Sequence, residues 1–133
     1  MHEAQCSCGG LRVKAVADPK VVIMCHCTEC QRRTGAPFGV SAYFDQGDVE
    51  ISGNSTIYQR SSDAERSITG HFCPTCGTTV HWRAEFVPDF IGVAVGCFSE
   101  PDFPAPERAV HVRRKHAWVT IPGGIPAIET QGS

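Results

Sequence analysis

Three cysteines fall within six residues in the stretch Cys25-His26-Cys27-Thr28-Glu29-Cys30. Two cysteine pairs flank it at a distance, Cys6-Ser7-Cys8 near the start and Cys73-Pro74-Thr75-Cys76 past the middle of the chain. Closely spaced cysteines are typical ligands of zinc in proteins. The spacing of these thiols therefore predicts a metal-binding protein whose turns are organised around cysteine.

The cysteines divide most simply into a closed set of four and an open set of three. Structural zinc prefers four ligands, whereas reactive zinc keeps three protein ligands and one open position. The outer pairs together complete a set of four, which predicts a structural zinc that ties the N-terminus to a later turn. The predicted structural ligands are Cys6, Cys8, Cys73 and Cys76.

The central trio is one ligand short of closure, so it predicts a second zinc whose fourth position is left to water or a substrate thiol. Its ligands are Cys25, Cys27 and Cys30. Other pairings of the cysteines also supply four ligands, and His26 closing the trio is a further alternative. Neighbouring residues of an extended chain tend to point apart, which disfavours His26.

Composition limits the class of protein. The chain of 133 residues predicts a single domain over 1–133. Its net charge of −2 and the lack of a long basic run predict no nucleic-acid partner. The start lacks the apolar region of a signal peptide, and the apolar run 90–98 is half a membrane span at most, so we expect no membrane association. A cytoplasmic location follows as the expectation, where cysteines are metal ligands more often than disulfides.

Short apolar or alternating segments separated by turns predict a mostly β protein of about eight strands. The predicted strands are 11–16, 21–24, 38–44, 49–52, 56–60, 66–72, 78–83 and 90–98, with a further candidate at 118–121. Residues 28–34 predict a short helical turn. Gly53-Asn54 predicts a hairpin that joins 49–52 to 56–60, and the late cysteine pair predicts the turn of another hairpin. Trp82 and Trp118 are expected in the core.

The order of the motifs resembles the glutathione-dependent formaldehyde-activating enzyme family, which also includes centromere protein V. The similarity covers most of the chain. It lies in Cys6-x-Cys8-Gly9, Cys25-His26-Cys27-x-x-Cys30, Arg32-Arg33-Thr34-Gly35-Ala36-Pro37, Tyr58-x-x-Ser61-Ser62, Arg66 ahead of Phe72-Cys73-Pro74-x-Cys76-Gly77-Thr78, and Trp118-Val119-x-Ile121-Pro122-x-Gly124-Ile125-Pro126.

This resemblance implies an Mss4-like fold of stacked antiparallel β-sheets with zinc-binding turns. It implies a structural zinc on the outer pairs and a catalytic zinc on Cys25, Cys27 and Cys30, which makes these the predicted catalytic residues. It implies a carbon–sulfur lyase that interconverts glutathione and formaldehyde with S-hydroxymethylglutathione, with glutathione as co-substrate. A related thiol, or another small carbonyl compound, is the wider form of the same prediction.

Glutathione carries two carboxylates, so cationic groups should line its site. Arg32 and Arg33 are the basic residues nearest to the central cysteines, with Arg60 and Arg66 next. We take Arg32, Arg33 and Arg66 as candidate glutathione contacts. His26, His71 and His81 are candidates for proton transfer, and a purely structural role is the alternative for each.

Two other functions are compatible with the same residues. One is a non-catalytic zinc module that binds a partner, and the other is a thiol or metal redox sensor whose open trio loses zinc on oxidation. An enzyme predicts a concave pocket over Cys25, Cys27 and Cys30. An interaction module predicts two fully closed sites, and a sensor predicts release of one zinc per chain on mild oxidation.

Overall fold

The computed structural model describes residues 1–61 and 66–130. Its strands are β1 His2–Gln5, β2 Arg12–Ala15, β3 Val21–Cys25, β4 Gly39–Asp45, β5 Val49–Ser52, β6 Thr56–Ser61, β7 Ser67–Phe72, β8 Thr79–Ala84, β9 Phe90–Ala94 and β10 Arg108–Val110. One α-helix, α1, spans Thr28–Thr34, and 3-10 turns cover Gln46–Asp48, Val95–Phe98 and Val112–Arg114. Across these described ranges, no helix has the length and apolarity needed to cross a bilayer.

The strands form two sheets, so the prediction of a mostly β fold is confirmed. The smaller sheet has the order β1-β2-β5, and the larger has the order β10-β3-β4-β9-β8-β7-β6. Neighbouring strands are antiparallel except β10 and β3, which pair in parallel. The larger sheet is therefore mixed, because β10, the last strand along the chain, lies next to β3 and runs parallel to it.

The two sheets stack on one hydrophobic core. In the larger sheet, Val22, Ala42 and Val93 are aligned by the strand register and are all buried. They join one cluster with Leu11 and Val13 of the smaller sheet and its turn. Because successive side chains of a strand point to opposite faces, the residues between them line the other face. That second face carries the cavity described below.

The predicted hairpin at Gly53 is wrong. β5 pairs with β2, whereas β6 pairs with β7, so the chain passes from one sheet to the other at this turn. Gly53 has φ +94, and a Cβ there would overlap the carbonyl of Gly10. The close approach of the two turns requires glycine at this position. Because Gly10 is distant in sequence, the residues around Gly53 do not predict this contact.

The apolar run 90–98 is only partly a strand. β9 ends at Ala94, and a 3-10 turn then reverses the chain, with Ser99 in the left-handed region at φ 53. The turn brings Phe98 into the core, where its ring stacks on Phe103 with centroids 4.6 Å apart. Burial of this aromatic ring stabilises the 3-10 turn, so residues 95–98 form the turn and do not continue the strand.

Two other predictions fail near the ends of the chain. Residues 118–121 form no strand, and Trp118 is 72% exposed instead of lying in the core. The backbone turns here, since the Val119 amide donates to the His116 carbonyl.

At the other end of the chain, β1 was not predicted. It pairs with β2 and only Ala4 of its four residues is buried, so the sequence shows little alternation of apolar and polar residues there.

The side chain of His2 joins the N-terminus to two loops. Its Nε2 lies 2.7 Å from Asp18 Oδ1, its Nδ1 lies 3.0 Å from Glu100 Oε2, and its ring packs edge-on against Phe103. The Asp18 carboxylate raises the pKa of His2, burial opposes the effect, and Glu100 adds to it, for a net increase. The protonated imidazole is thus favoured by folding.

Candidate functional site

The two outer cysteine pairs meet in space. Cys6 and Cys8 lie in the turn after β1, and Cys73 and Cys76 lie in the turn that joins β7 to β8. Their four sulfurs all lie within 4.8 Å of one another, and Cys8 Sγ is 3.6 Å from both Cys6 Sγ and Cys73 Sγ. Zinc–sulfur bonds of about 2.3 Å at tetrahedral angles place sulfurs roughly 3.8 Å apart. The four thiols therefore fit a zinc ion.

Backbone hydrogen bonds shape the turns that hold this quartet. Gly77, at φ +81, donates to the Cys73 carbonyl over 2.8 Å, which folds the chain back around the sulfurs. The amides of Leu11 and Thr75 point at Cys6 Sγ and Cys73 Sγ, at 3.2 and 3.4 Å respectively. Amides aimed at sulfur favour the thiolate form, which is the form that binds metal.

The quartet is electrostatically prepared for a cation. Thr78 donates to Cys76 and lowers the pKa of that thiol to about 5. Burial raises the pKa of Cys6, but the Leu11 amide and the Cys8 thiol lower it by more than burial raises it, so the net shift is downward. The Gly10 amide lowers the pKa of Cys8, yet Cys73 and Cys6 raise it to about 11. The sulfurs thus compete for protons, and a divalent cation relieves that competition.

The central trio forms where β3 runs into α1. Cys25 is the last residue of β3, Cys27 is the N-cap of α1, and Cys30 is buried in its first turn. The Cys30 amide donates to Cys27 Sγ over 3.3 Å, so the sulfur takes the place of an ordinary capping oxygen. The helix ends at Gly35, whose left-handed backbone lets its amide donate to the Gln31 carbonyl. These short-range contacts hold the three sulfurs within 4.8 Å of one another.

Negative charge in the trio concentrates on Cys27. Hydrogen bonds from the Cys25 and Cys30 thiols lower the pKa of Cys27 to about 2. The Cys25 thiol lowers the pKa of Cys30, but Cys27 and burial outweigh it and raise that pKa to about 11. Three sulfurs within 4.8 Å of one another form a donor set that suits a zinc ion and leaves one of the ion's four positions open.

His26 is not part of the trio. Its side chain is fully buried, its ring centroid lies 5.3 Å from that of Phe38, and neither ring nitrogen has a hydrogen-bond partner within the described residues. The cluster of metal-ligating atoms contains the three cysteines and not this histidine. The backbone at the end of β3 therefore turns His26 away from its two cysteine neighbours.

A cavity of about 1140 Å³ adjoins the trio. Its floor is the second face of the larger sheet, where Val21, Tyr43, Gly92, Trp82 and Gly70 form one row by strand register. All three trio cysteines line it, together with residues of α1 and of the segment after β10. The predicted concave pocket over the three cysteines is thus present.

Arginines surround the end of the cavity that contains the trio. Arg32 and Arg33 line it from α1, as predicted, and Arg33 lies over the Trp82 ring, with its guanidinium carbon 4.5 Å from the ring centroid. Arg60 lines the opposite side of the cavity, from the edge strand β6. Arg66 is exposed before β7 and does not line the cavity, so its proposed contact with glutathione stays a prediction.

Two further arginines of the cavity were not predicted. Arg108 pairs in register with Ile23, and the Arg114 carbonyl accepts a hydrogen bond of 3.0 Å from the Gln31 side chain of α1. They lie about eighty residues from the trio in sequence, and only the parallel pairing of β10 with β3 brings them near it. The basic run Arg113-Arg114-Lys115 was the one signal in the sequence that pointed to this segment.

Tyr43 was also missed. Its hydroxyl accepts a hydrogen bond of 3.4 Å from Trp82 Nε1, and its side chain faces the cavity. Burial raises the pKa of Tyr43, the hydrogen bond from Trp82 lowers it, and the nearby Cys30 and Cys25 raise it again, for a net increase. Tyr43 is therefore a neutral phenol close to the trio, able both to donate and to accept a hydrogen bond.

The other two candidate histidines lie away from the cavity. His71 and His81 are register partners whose rings stack 4.4 Å apart, and neither lines the cavity. His71 Nδ1 is 2.8 Å from Ser55 Oγ, and burial lowers the pKa of His81 to about 4. Their positions favour a structural role on the core face of the sheet.

Comparison with known proteins agrees with this architecture. The family model described as glutathione-dependent formaldehyde-activating enzyme matches residues 1–114. A Schizosaccharomyces pombe protein named an uncharacterized lyase is 31% identical over 81 residues, which cover 61% of this chain and 56% of that protein. The chain thus spans little more than half the length of this relative.

A crystal structure of a Rhodobacter sphaeroides protein has the same fold. Its TM-score is 0.57 at 22% identity, and the match covers 94% of this chain and 98% of that one. The family that the sequence motifs resembled is the family whose model matches, so that prediction is confirmed. The chain belongs to the glutathione-dependent formaldehyde-activating enzyme family.

Proposed function

We propose that this protein is a zinc-dependent carbon–sulfur lyase that acts on glutathione adducts of formaldehyde or another small carbonyl compound. The observation that carries the proposal is the large cavity that opens onto Cys25, Cys27 and Cys30. A module that only binds a partner protein has no need of a cavity beside an incomplete ligand set. The family and the lyase name of the yeast relative support the same class of reaction.

The two clusters have different proposed roles. Cys6, Cys8, Cys73 and Cys76 would hold a structural zinc, and Cys25, Cys27 and Cys30 would hold a catalytic one. When bound in the open site, zinc lowers the pKa of a neighbouring thiol and so favours the glutathione thiolate. Three protein sulfurs leave one of the four positions of a tetrahedral zinc ion for such a sulfur.

The arginines supply charge complementarity for glutathione. Arg32, Arg33, Arg108 and Arg114 line the cavity at the trio end, and glutathione brings two carboxylates to bind there. Arg33 is the best positioned, because its stack on Trp82 holds its guanidinium in one place and reduces the entropy lost on binding. We propose that Arg33 orients glutathione while the glutathione sulfur lies at the open position beside the trio.

Cleavage of S-hydroxymethylglutathione is redox-neutral. The carbon–sulfur bond breaks, its electron pair stays on sulfur, and the hydroxyl oxygen loses its proton as it forms the carbonyl of formaldehyde. The reverse reaction returns that proton to oxygen. The Tyr43 phenol faces the cavity beside the trio, so we propose that it donates this proton to the oxygen in the direction of adduct formation and, as tyrosinate, takes it back in the direction of cleavage.

We also propose that residues 1–133 form one domain, since the quartet joins the smaller sheet to the β7–β8 turn of the larger one. The cytoplasmic location stays a prediction, based on the thiol-rich composition and the reducing conditions that metal-binding cysteines require.

The test is the rate at which the enzyme interconverts formaldehyde and glutathione with their adduct, measured by NMR exchange spectroscopy with ¹³C-formaldehyde. We expect the wild-type protein to accelerate exchange and Cys25→Ala to lose the acceleration. Cys97→Ala is the matched control, because Cys97 lies outside both clusters and should leave the rate unchanged. Exchange at the uncatalysed rate with zinc-loaded wild-type protein contradicts the proposal.

A further inference from the structure

The cavity floor beyond the trio is apolar. Half-buried aliphatic and aromatic side chains of three strands and one loop line it and keep part of their surface accessible. Soluble proteins seldom leave a contiguous apolar surface of this kind without a ligand or partner. The residues are Val21, Ile23, Ile68, Phe72, Phe86, Val87 and Phe90, and we call them the apolar floor.

This floor is larger than the proposed co-substrate. From Cys25 to Val21 along β3 is about 13 Å at 3.3 Å per residue, and from β3 across to β7 is roughly 19 Å at 4.8 Å per strand. An extended tripeptide spans only about 10 Å. A hydroxymethyl group adds a single carbon to glutathione, so this adduct leaves most of the floor uncovered.

Most of the positive charge of the cavity lies beside the trio. Four of its five arginines belong to α1, β10 and the turn after β10, whereas the fifth, Arg60 on β6, is the register partner of Ile68 at the opposite side of the sheet. A ligand with its sulfur at the trio and its carboxylates on the arginines directs its remaining substituent toward the floor. Water against that floor is replaced favourably only by an apolar group.

We propose that the adducts recognised by this site carry a sizeable apolar group, comparable to pentyl or phenyl, on the carbon bound to sulfur. The inference rests on the proposed function and narrows its substrate class. The reaction remains balanced: R–CH(OH)–SG gives R–CHO and glutathione, the carbon–sulfur electron pair stays on sulfur, and the hydroxyl proton is transferred to the resulting thiolate. No oxidant or reductant is consumed.

Binding of stable analogues tests the inference without any turnover. Isothermal titration calorimetry of the zinc-loaded protein compares S-methylglutathione with S-hexylglutathione and S-benzylglutathione. Each fully buried methylene is worth about fourfold in affinity. Since the floor is partly open, we expect S-hexylglutathione to bind at least about tenfold more tightly than S-methylglutathione. Equal affinities, or no binding of either ligand, overturn the inference.

Two substitutions locate the effect. Ile23 lies two residues before Cys25 on the same face of β3, about 7 Å away along the strand, which is within reach of a hexyl group. Ile23→Ser places a hydroxyl in the floor and should remove most of the preference for the hexyl group while leaving S-methylglutathione binding within about twofold. Ile57→Ser is the matched control, since Ile57 is 58% exposed on β6 and does not line the cavity. Ile23→Thr, which keeps the β-branched shape that strands favour, repeats the test should Ile23→Ser fail to fold. Loss of the preference in the control alone contradicts the assignment.

Turnover separates this inference from the proposed function. Exchange of the formaldehyde adduct without a preference for hexyl over methyl supports the lyase and overturns the apolar floor as a specificity site. A preference for hexyl without exchange of any adduct supports the floor and overturns the lyase. Faster cleavage of the adducts of hexanal or benzaldehyde than of formaldehyde supports both.

Discussion

Replacing Cys73 by serine should destabilise the whole domain, whereas replacing Cys27 by serine should not. The two substitutions make the same chemical change in the two clusters. Cys73 belongs to the quartet that links the smaller sheet to the β7–β8 turn, and its side chain is buried. Cys27 belongs to the trio and caps α1. The proposed structural and catalytic roles therefore predict opposite effects on stability.

The expected magnitudes differ clearly. A structural zinc site contributes on the order of 10 kcal/mol to folding, so losing one of four thiolates removes about 3 kcal/mol. The buried serine hydroxyl costs about 1 to 2 kcal/mol more. Their sum, about 4 to 5 kcal/mol, approaches the lower end of the total stability of an ordinary domain, about 5 to 15 kcal/mol. In Cys27→Ser the hydroxyl can still accept from the Cys30 amide, and serine is among the preferred N-caps, so we expect a change below about 1 kcal/mol.

The assay is urea denaturation followed by circular dichroism, with zinc content per chain measured on the same samples. Cys97→Ser is the control for an ordinary cysteine, because its thiol is partly buried, contacts the Thr79 carbonyl and belongs to neither cluster. We expect a loss of about 1 kcal/mol there. Equal losses in Cys73→Ser and Cys97→Ser, with zinc retained by both, would refute the structural role of the quartet.

Two other predictions address parts of the fold outside the clusters. His2→Gln should cost at most about 1 kcal/mol, since one carboxylate partner is exposed. Its raised pKa means that this stabilisation is fully present below about pH 6.5 and is lost as pH rises through the folded-state pKa; melting temperatures that differ equally from wild type at about pH 6 and pH 9 contradict it. Gly92→Ala should cost about 1 to 3 kcal/mol in urea denaturation, because the added Cβ overlaps the Trp82 indole. Gly47→Ala, where a Cβ meets no atom within 4 Å, is its control, and equal midpoints for both alanine variants count against tight packing of the indole.

The cysteine clusters show how far local sequence reaches. Three ligands spaced Cys-x-Cys-x-x-Cys at the start of a helix are brought together by backbone geometry within six residues, so their meeting is predictable from spacing alone. The outer pairs required one further assumption: two cysteines are too few ligands for a structural zinc, so the two pairs must bind the same ion. Most strands were also predictable, because alternation of apolar and polar residues is a property of neighbouring positions.

The chain alone therefore determined the β class, the two sets of sulfurs and the family motifs. Tertiary structure decided that β5 and β6 belong to different sheets, that Trp118 is exposed, and that Arg108, Arg114 and Tyr43 line the cavity. Contacts between residues distant in sequence, such as Gly53 against Gly10, determine which strands pair. The pattern of neighbouring residues does not contain that information. For the same reason the size and polarity of the cavity, and with them the choice of substrate, arise only when the sheet is assembled.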